Sequence, residues 1–398
     1  MNRTVLAVAA GVPAIVLLLP AYAAACLMLL FSALVRRIGR ALEPAFVPWQ
    51  SLIEFSPSLG WKPRPNLDTW YLAELDDVFR VVTDEEGWPG TRRLEESDIV
   101  VVGDSFAFGY GVNAGASFAD VDRGLSVKAV GAPGYSMVHG VLLMEQLAAR
   151  LRGRLVVWLV YPENDLQDNL APEMRRYRAP FARRDPASGA WEIVDSHVTA
   201  ERWPCSDLDR RRLFPHFGVP GPLADRAYGA CEYLIQRAAA ACRLHDAALV
   251  VLTVPHQMQL TPRGRAALAA MSGAPDQWDA DLPDRRIAAA CRREGIPVIA
   301  GKDHLSAGDY KRREGIHWNE RGHRRIAAVL RHLWRSFRAV PGRTVPAEEG
   351  AAPHVFEPAR VDLCPQPEHA AVSGRTLPFD LRPDVPGLGA ARLRQLLD

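Results

Sequence analysis

The sequence predicts an α/β fold, a three-layer α/β/α unit around a central parallel sheet of about five strands. Three observations predict it. Short, β-branched apolar runs recur along the 398-residue chain. Amphipathic stretches of helical period separate them. Hydrophobic residues make up 48% of the chain, enough for a sizeable core.

The elements follow in order. Residues 4–35 are almost wholly apolar, and Arg36, Arg37 and Arg40 come directly after. The run of roughly 30 residues exceeds the ~20 that span a bilayer. Ala23-Ala24-Ala25 resembles a signal-peptide cleavage site, but the chain stays apolar beyond it, so residues 1–40 read as an uncleaved membrane anchor. Pro13 and Pro20 fall within the run as candidate kinks. Residues 41–97 read as a linker and N-terminal extension, irregular through the prolines of 41–65. Residues 78–83 alternate like a short strand, and Glu86-Gly87-Trp88-Pro89-Gly90 has turn chemistry.

The α/β unit occupies 98–338. Its strand candidates are 99–102, 127–130, 155–160, 248–254 and 297–300. Its helix candidates are 137–151, 227–245, 279–293 and 320–337. Residues 168–223, rich in proline, arginine and aromatics, form an insertion too long for an ordinary loop. Residues 339–398 read as a Pro-rich tail.

Composition excludes several functions. The net charge is only +2, with arginines scattered among acids, which argues against a nucleic-acid surface. The cysteines show no C-x-x-C spacing, so no zinc site is expected. For Cys205 and Cys231, a disulfide and isolated buried thiols both fit.

The chemistry starts at Gly103-Asp104-Ser105, which follows the apolar run Ile99-Val100-Val101-Val102. A strand ending there delivers a serine hydroxyl to the carboxyl edge of the sheet, where open α/β sheets bind ligands. Gly-Asp-Ser also serves as a plain turn or helix cap, so the serine needs a base nearby. His317 is the candidate base, and Glu314, three residues earlier, has the reach to fix its tautomer. Asn319 would cap the helix that follows and hold that loop, and His323, one turn on, reads as structural. Gly134 and Asn164 each lie just past a predicted strand. A turn glycine and an Asx-turn asparagine are their ordinary roles. Together they supply a backbone N–H and a side-chain amide for an oxyanion. Asp104 reads as a brace for the turn.

The four segments resemble the four blocks of the SGNH/GDSL hydrolases: GDSFAFGYGV with Ser105, AVGAPGYS with Gly134, YPENDL with Asn164, and EGIHWNERGH with His317. The chain is most similar to the bacterial branch linked to polysaccharide O-acyl modification. There Gly87-Trp88-Pro89-Gly90 and the stretch Asn164-Asp165 to Asp168-Asn169 have counterparts. The resemblance spans roughly residues 60–337 and departs in three places. Glu314 stands where an aspartate is usual, with Asp309 and Asp303 as substitutes. Ala129 replaces an asparagine, and Pro162-Glu163 precedes Asn164 where a glycine is usual.

The resemblance implies a serine esterase. Ser105 attacks an ester carbonyl, His317 takes its proton, and the N–H groups of Ser105 and Gly134 with the Asn164 amide hold the oxyanion. No cofactor or metal is required. The expected substrate is an O-acyl, above all O-acetyl, ester on a carbohydrate. Tyr177, Phe181, Trp191 and Trp203 of the insertion suit a sugar or a lipid chain. An O-acetyltransferase using the same acyl-serine and a catalytically silent, membrane-tethered carbohydrate-binding protein are the alternatives. The arginines after the anchor favour a cytoplasmic globular part. The resemblance favours the opposite, an extracytoplasmic one on a single-pass N-terminal anchor, and that is the reading adopted.

Overall fold

The computed structural model describes residues 27–28, 49–73, 77–174, 177–194, 213–312 and 315–339. The chain divides into two units, Met1–Phe46 and Val47–Asp398. Of the first, Leu27 and Met28 are described, both helical and exposed. The expected membrane anchor otherwise lies outside the described residues. Among those described, no helix is long and apolar enough to cross a membrane.

The second unit is built on five parallel strands: β1 (Ile99–Gly103), β2 (Val127–Gly131), β3 (Leu155–Val160), β4 (Ala248–Thr253) and β5 (Val298–Ala300). All five match the predicted runs to within a residue or two. Their spatial order is β5-β4-β3-β1-β2. β1 pairs with β2 on one side and β3 on the other, so the connections after β1 and β3 leave toward opposite sides. That makes a topological switch point at the carboxyl ends of β1 and β3.

The strands are buried on both faces, and successive side chains point to opposite layers. Val100 and Val102 of β1 join one core, with α2 (Met137–Gln146), α4 (Pro222–Leu244) and α5 (Leu282–Arg293). Ile99 and Val101 join the other, with α1 (Ser105–Phe108) and α6 (Glu320–Arg338). The expected three layers are present.

Three regions differ from expectation. Residues 53–63, expected as irregular linker, form an antiparallel hairpin of Ile53–Ser56 and Gly60–Pro63. Trp61 explains the order: it is fully buried, and its carbonyl accepts from the Tyr135 hydroxyl at 2.7 Å. The predicted strand at 78–83 exists as Asp77–Val82, paired with an unanticipated partner, Asp68–Ala73. The stretch after β3 is a helix, α3 (Pro162–Asp168), with Pro162 at its first turn where a missing N–H costs nothing. The insertion contributes a hairpin, Phe181–Arg184 with Trp191–Val194; residues 195–212, including Trp203 and Cys205, lie outside the description. Cys231 is a free, buried thiol packed in α4. The Pro-rich tail from residue 340 also lies outside the described residues.

Candidate active site

Ser105 is the first residue of α1, immediately beyond β1. Asp104 caps that helix: its Oδ1 accepts from the Phe106 N–H at 3.0 Å. The brace expected of Asp104 is therefore present, and it fixes the serine at the sheet edge. Ser105 Oγ lies 2.7 Å from His317 Nε2. The two are 212 residues apart in sequence, and both are buried. A serine hydroxyl against an imidazole nitrogen at this distance is the geometry of a nucleophile and its base.

His317 is carried by a tight turn. Tyr310 and Trp318 form an antiparallel bridge, and the Lys311 N–H donates to the His317 carbonyl at 2.9 Å. Asn319 caps α6 as expected, its Oδ1 accepting from the N–H groups of Arg321 and Gly322. The imidazole lies between two rings, with Tyr110 at 4.6 Å and Phe106 at 5.3 Å between centroids. Tyr110 in turn packs on Phe79 and Tyr71 of the Asp68–Val82 hairpin. The N-terminal extension thus backs the histidine, which its sequence gave no reason to expect. The glycines flanking Tyr110, shortly after Ser105, were the available signal.

Glu314, the expected orienter of His317, lies outside the described residues. Of the two substitute carboxylates, Asp309 is engaged by other groups. Asp309 is fully buried, and its Oδ2 accepts from Ser306 N at 2.7 Å and Ser306 Oγ at 2.8 Å. Arg321 Nε donates to its Oδ1 at 2.6 Å, and Arg325 Nε lies 3.2 Å from its Oδ2. Asp309 therefore anchors the start of α6. Asp303 is exposed at the end of a short turn. His323 is structural, as expected. Its Nδ1 accepts from the Phe118 N–H at 3.2 Å, and burial pushes its pKa down to about 3, so it is neutral at ordinary pH.

Gly134 follows β2 with φ 85°, in the left-handed region that a side chain disfavours. Asn164 sits in the first turn of α3, one strand over. Its Nδ2 donates to Asp104 Oδ2 at 3.1 Å. An amide nitrogen carries two hydrogens, so this bond occupies one of them. Asn164 is not in an Asx-turn; it is within a helix. Below it lie further buried carboxylates. Burial, then the Asp104 charge, raises Asp165 well above the usual carboxylate range. Burial raises Asp104 as well, against the two N–H bonds it accepts from Phe106 and Asn164.

If the second amide hydrogen of Asn164 meets an oxyanion, Asn164→Ala should lower kcat by roughly 10²–10³ with little change in KM. Asn164→Asp should do at least as much harm, because it sets a second carboxylate against Asp104. Steady-state kinetics with melting curves checks this. A normal kcat with a lowered Tm would make Asn164 a purely structural residue.

Sequence reasoning also missed Lys128, whose charge in the otherwise apolar strand β2 was a signal. It is 1% exposed and pairs with Asp84 at 2.7 Å. Asp84 Oδ1 accepts from Glu86 N at 2.9 Å and Trp88 N at 2.8 Å. The buried ion pair thus pins the Glu86–Gly90 turn to the sheet. Among the described residues, no group of three or more metal-ligating side chains occurs.

No protein-family model matches the chain, and no curated protein matches it. Several solved structures are similar to it. One is a member of the lipolytic G-D-S-L family from Veillonella parvula, 14% identical, covering 58% of this chain and 93% of that one, with a TM-score of 0.33. Another is a carbohydrate acetylesterase family member from Sinorhizobium meliloti, 13% identical, covering 61% and 100%, with a TM-score of 0.35. A third is an extracellular lipase from Streptomyces rimosus, 14% identical, covering 59% and 98%, with a TM-score of 0.35. At this degree of likeness, the functional case rests on the chain's own geometry.

Proposed function

We propose that the chain is a serine ester hydrolase of the SGNH/GDSL type, acting on O-acyl groups, above all O-acetyl, of a carbohydrate. The observation that carries the reading is the 2.7 Å contact between Ser105 Oγ and His317 Nε2 at the switch point of the sheet. In the proposed reaction His317 removes the Ser105 proton as the oxygen attacks the ester carbonyl. The negative charge on the carbonyl oxygen meets the N–H groups of Ser105 and Gly134 and the free amide hydrogen of Asn164. Each such donor is worth on the order of 3 kcal/mol in the transition state. Collapse breaks the C–O bond, and His317 returns the proton to the leaving alcohol. Water, activated by the same imidazole, then releases the acid from the acyl-serine. Glu314 is the proposed orienter of His317.

The carbohydrate part of the proposal draws on the sequence resemblance to the polysaccharide-modifying branch. Of the four aromatics of the insertion, Trp191 is half-buried and packs against Gly229 of α4. A panel of p-nitrophenyl esters from acetyl to octanoyl, together with an acetylated polysaccharide, tests the reading on the full chain. Highest kcat/KM on acetyl esters and release of acetate from the polysaccharide are expected. A preference for octanoyl would replace the reading with a lipase or thioesterase.

We propose in addition that residues 1–40 tether the enzyme to a membrane with its catalytic unit on the extracytoplasmic side. The length of the apolar run supports the tether. The chain should stay in the membrane pellet through a carbonate wash, and an alkaline phosphatase fusion at the C-terminus should be active. Release by the wash, or an inactive fusion, would contradict these two points respectively.

A further inference from the structure

We infer that Lys311 is a positioning residue that ties the nucleophile's loop to the histidine's loop; this rests on the reading of Ser105 and His317 as nucleophile and base. The two catalytic side chains come from segments far apart in sequence, and their contact depends on holding two loops in register, one of them buried at Gly109–Val112. One loop runs from α1 through Gly109 to Val112. It begins on the nucleophile's own backbone, since the Tyr110 N–H donates to the Ser105 carbonyl at 3.0 Å. The other is the turn that starts at Lys311 and ends at His317.

Lys311 engages both. Its backbone N–H donates to the His317 carbonyl at 2.9 Å, and its own carbonyl accepts from the Gly315 N–H at 2.9 Å. Its ammonium reaches across and donates to the Gly111 carbonyl. Gly111 has φ 88°, and a Cβ there would come within 2.8 Å of Lys311 Cδ. The absence of a side chain at 111 is what lets the lysine stem lie against this loop. Gly111 adjoins Tyr110, whose ring packs on the His317 imidazole. The lysine therefore fixes the loop that shelters the base to the loop that carries it. Misplacement of reacting groups by about 1 Å costs roughly 10²-fold in rate, so a strap at this point bears directly on turnover.

The test compares full-length wild type, Lys311→Met and Lys311→Arg. Lys311→Met keeps the apolar stem and removes the donor. It should lower kcat at least about 10-fold, leave KM within about twofold and shift Tm little. Amide hydrogen exchange should speed up at residues 109–112 and 315–318 and not elsewhere. Lys311→Arg, which retains a cationic donor, should recover at least about a third of the lost kcat. Unchanged kcat in folded Lys311→Met, unchanged exchange at the two loops, or no recovery in Lys311→Arg would overturn the inference. Should wild type turn over no ester at all, the hydrolase reading fails by itself, and the exchange measurement alone then decides the role of Lys311 as a strap.

Discussion

Ser105→Ala should abolish ester turnover, lowering kcat by about 10⁴-fold or more while leaving the fold intact. The reason is local. Ser105 opens α1 just past the fully buried strand β1, and its hydroxyl is the group in contact with His317 Nε2. Its Cβ occupies the same place in alanine, and the Asp104 cap on Phe106 does not involve the hydroxyl. The variant should therefore match wild type in circular dichroism and melting temperature. Near-normal hydrolysis of p-nitrophenyl acetate by a folded Ser105→Ala protein would remove the nucleophile from the proposal.

His317→Ala should cost about as much, because nucleophile and base act as a unit and lose most of their effect together. The double variant Ser105→Ala/His317→Ala should be hardly worse than either single one. The imidazole is held between Phe106 and Tyr110, so its loss also leaves a gap beside both rings, and a modest fall in Tm is expected. Glu314→Gln should reduce turnover less than His317→Ala does, since it weakens the orientation of the base without removing it. Asp309→Asn should act differently. It loosens the ties to Arg321 and Arg325 at the start of α6 and should lower Tm more than kcat. A silent Glu314→Gln would show that some other group orients His317.

The central sheet was legible because its strands are buried on both faces. Continuous runs such as Leu155–Val160 stand out against any background. The four candidate positions were legible for a related reason: each lies where a recognisable strand stops or a capped helix starts. Helix α3 was not legible. Glu163, Asp165, Gln167 and Asp168 are polar yet buried, so the helix has no apolar stripe for periodicity to detect. The N-terminal hairpins were hidden for another reason. Their strands are short and their order comes from distant partners, Trp61 on Tyr135 and Phe79 on Tyr110, which no local pattern encodes. One of the two substitutes for Glu314 shows a similar effect. Asp309 is close to His317 in sequence, but Ser306 and two α6 arginines hold its carboxylate.

Covalent labelling tests the central claim most directly. A fluorophosphonate reacts with a serine that a neighbouring base has activated and leaves a stable adduct whose position peptide mass mapping reads out. On the full-length chain the adduct should fall on Ser105, be lost in Ser105→Ala and form far more slowly in His317→Ala. A folded wild-type chain that takes up no label, or takes it at a different serine, would contradict the assignment of Ser105 and His317 as a hydrolytic pair.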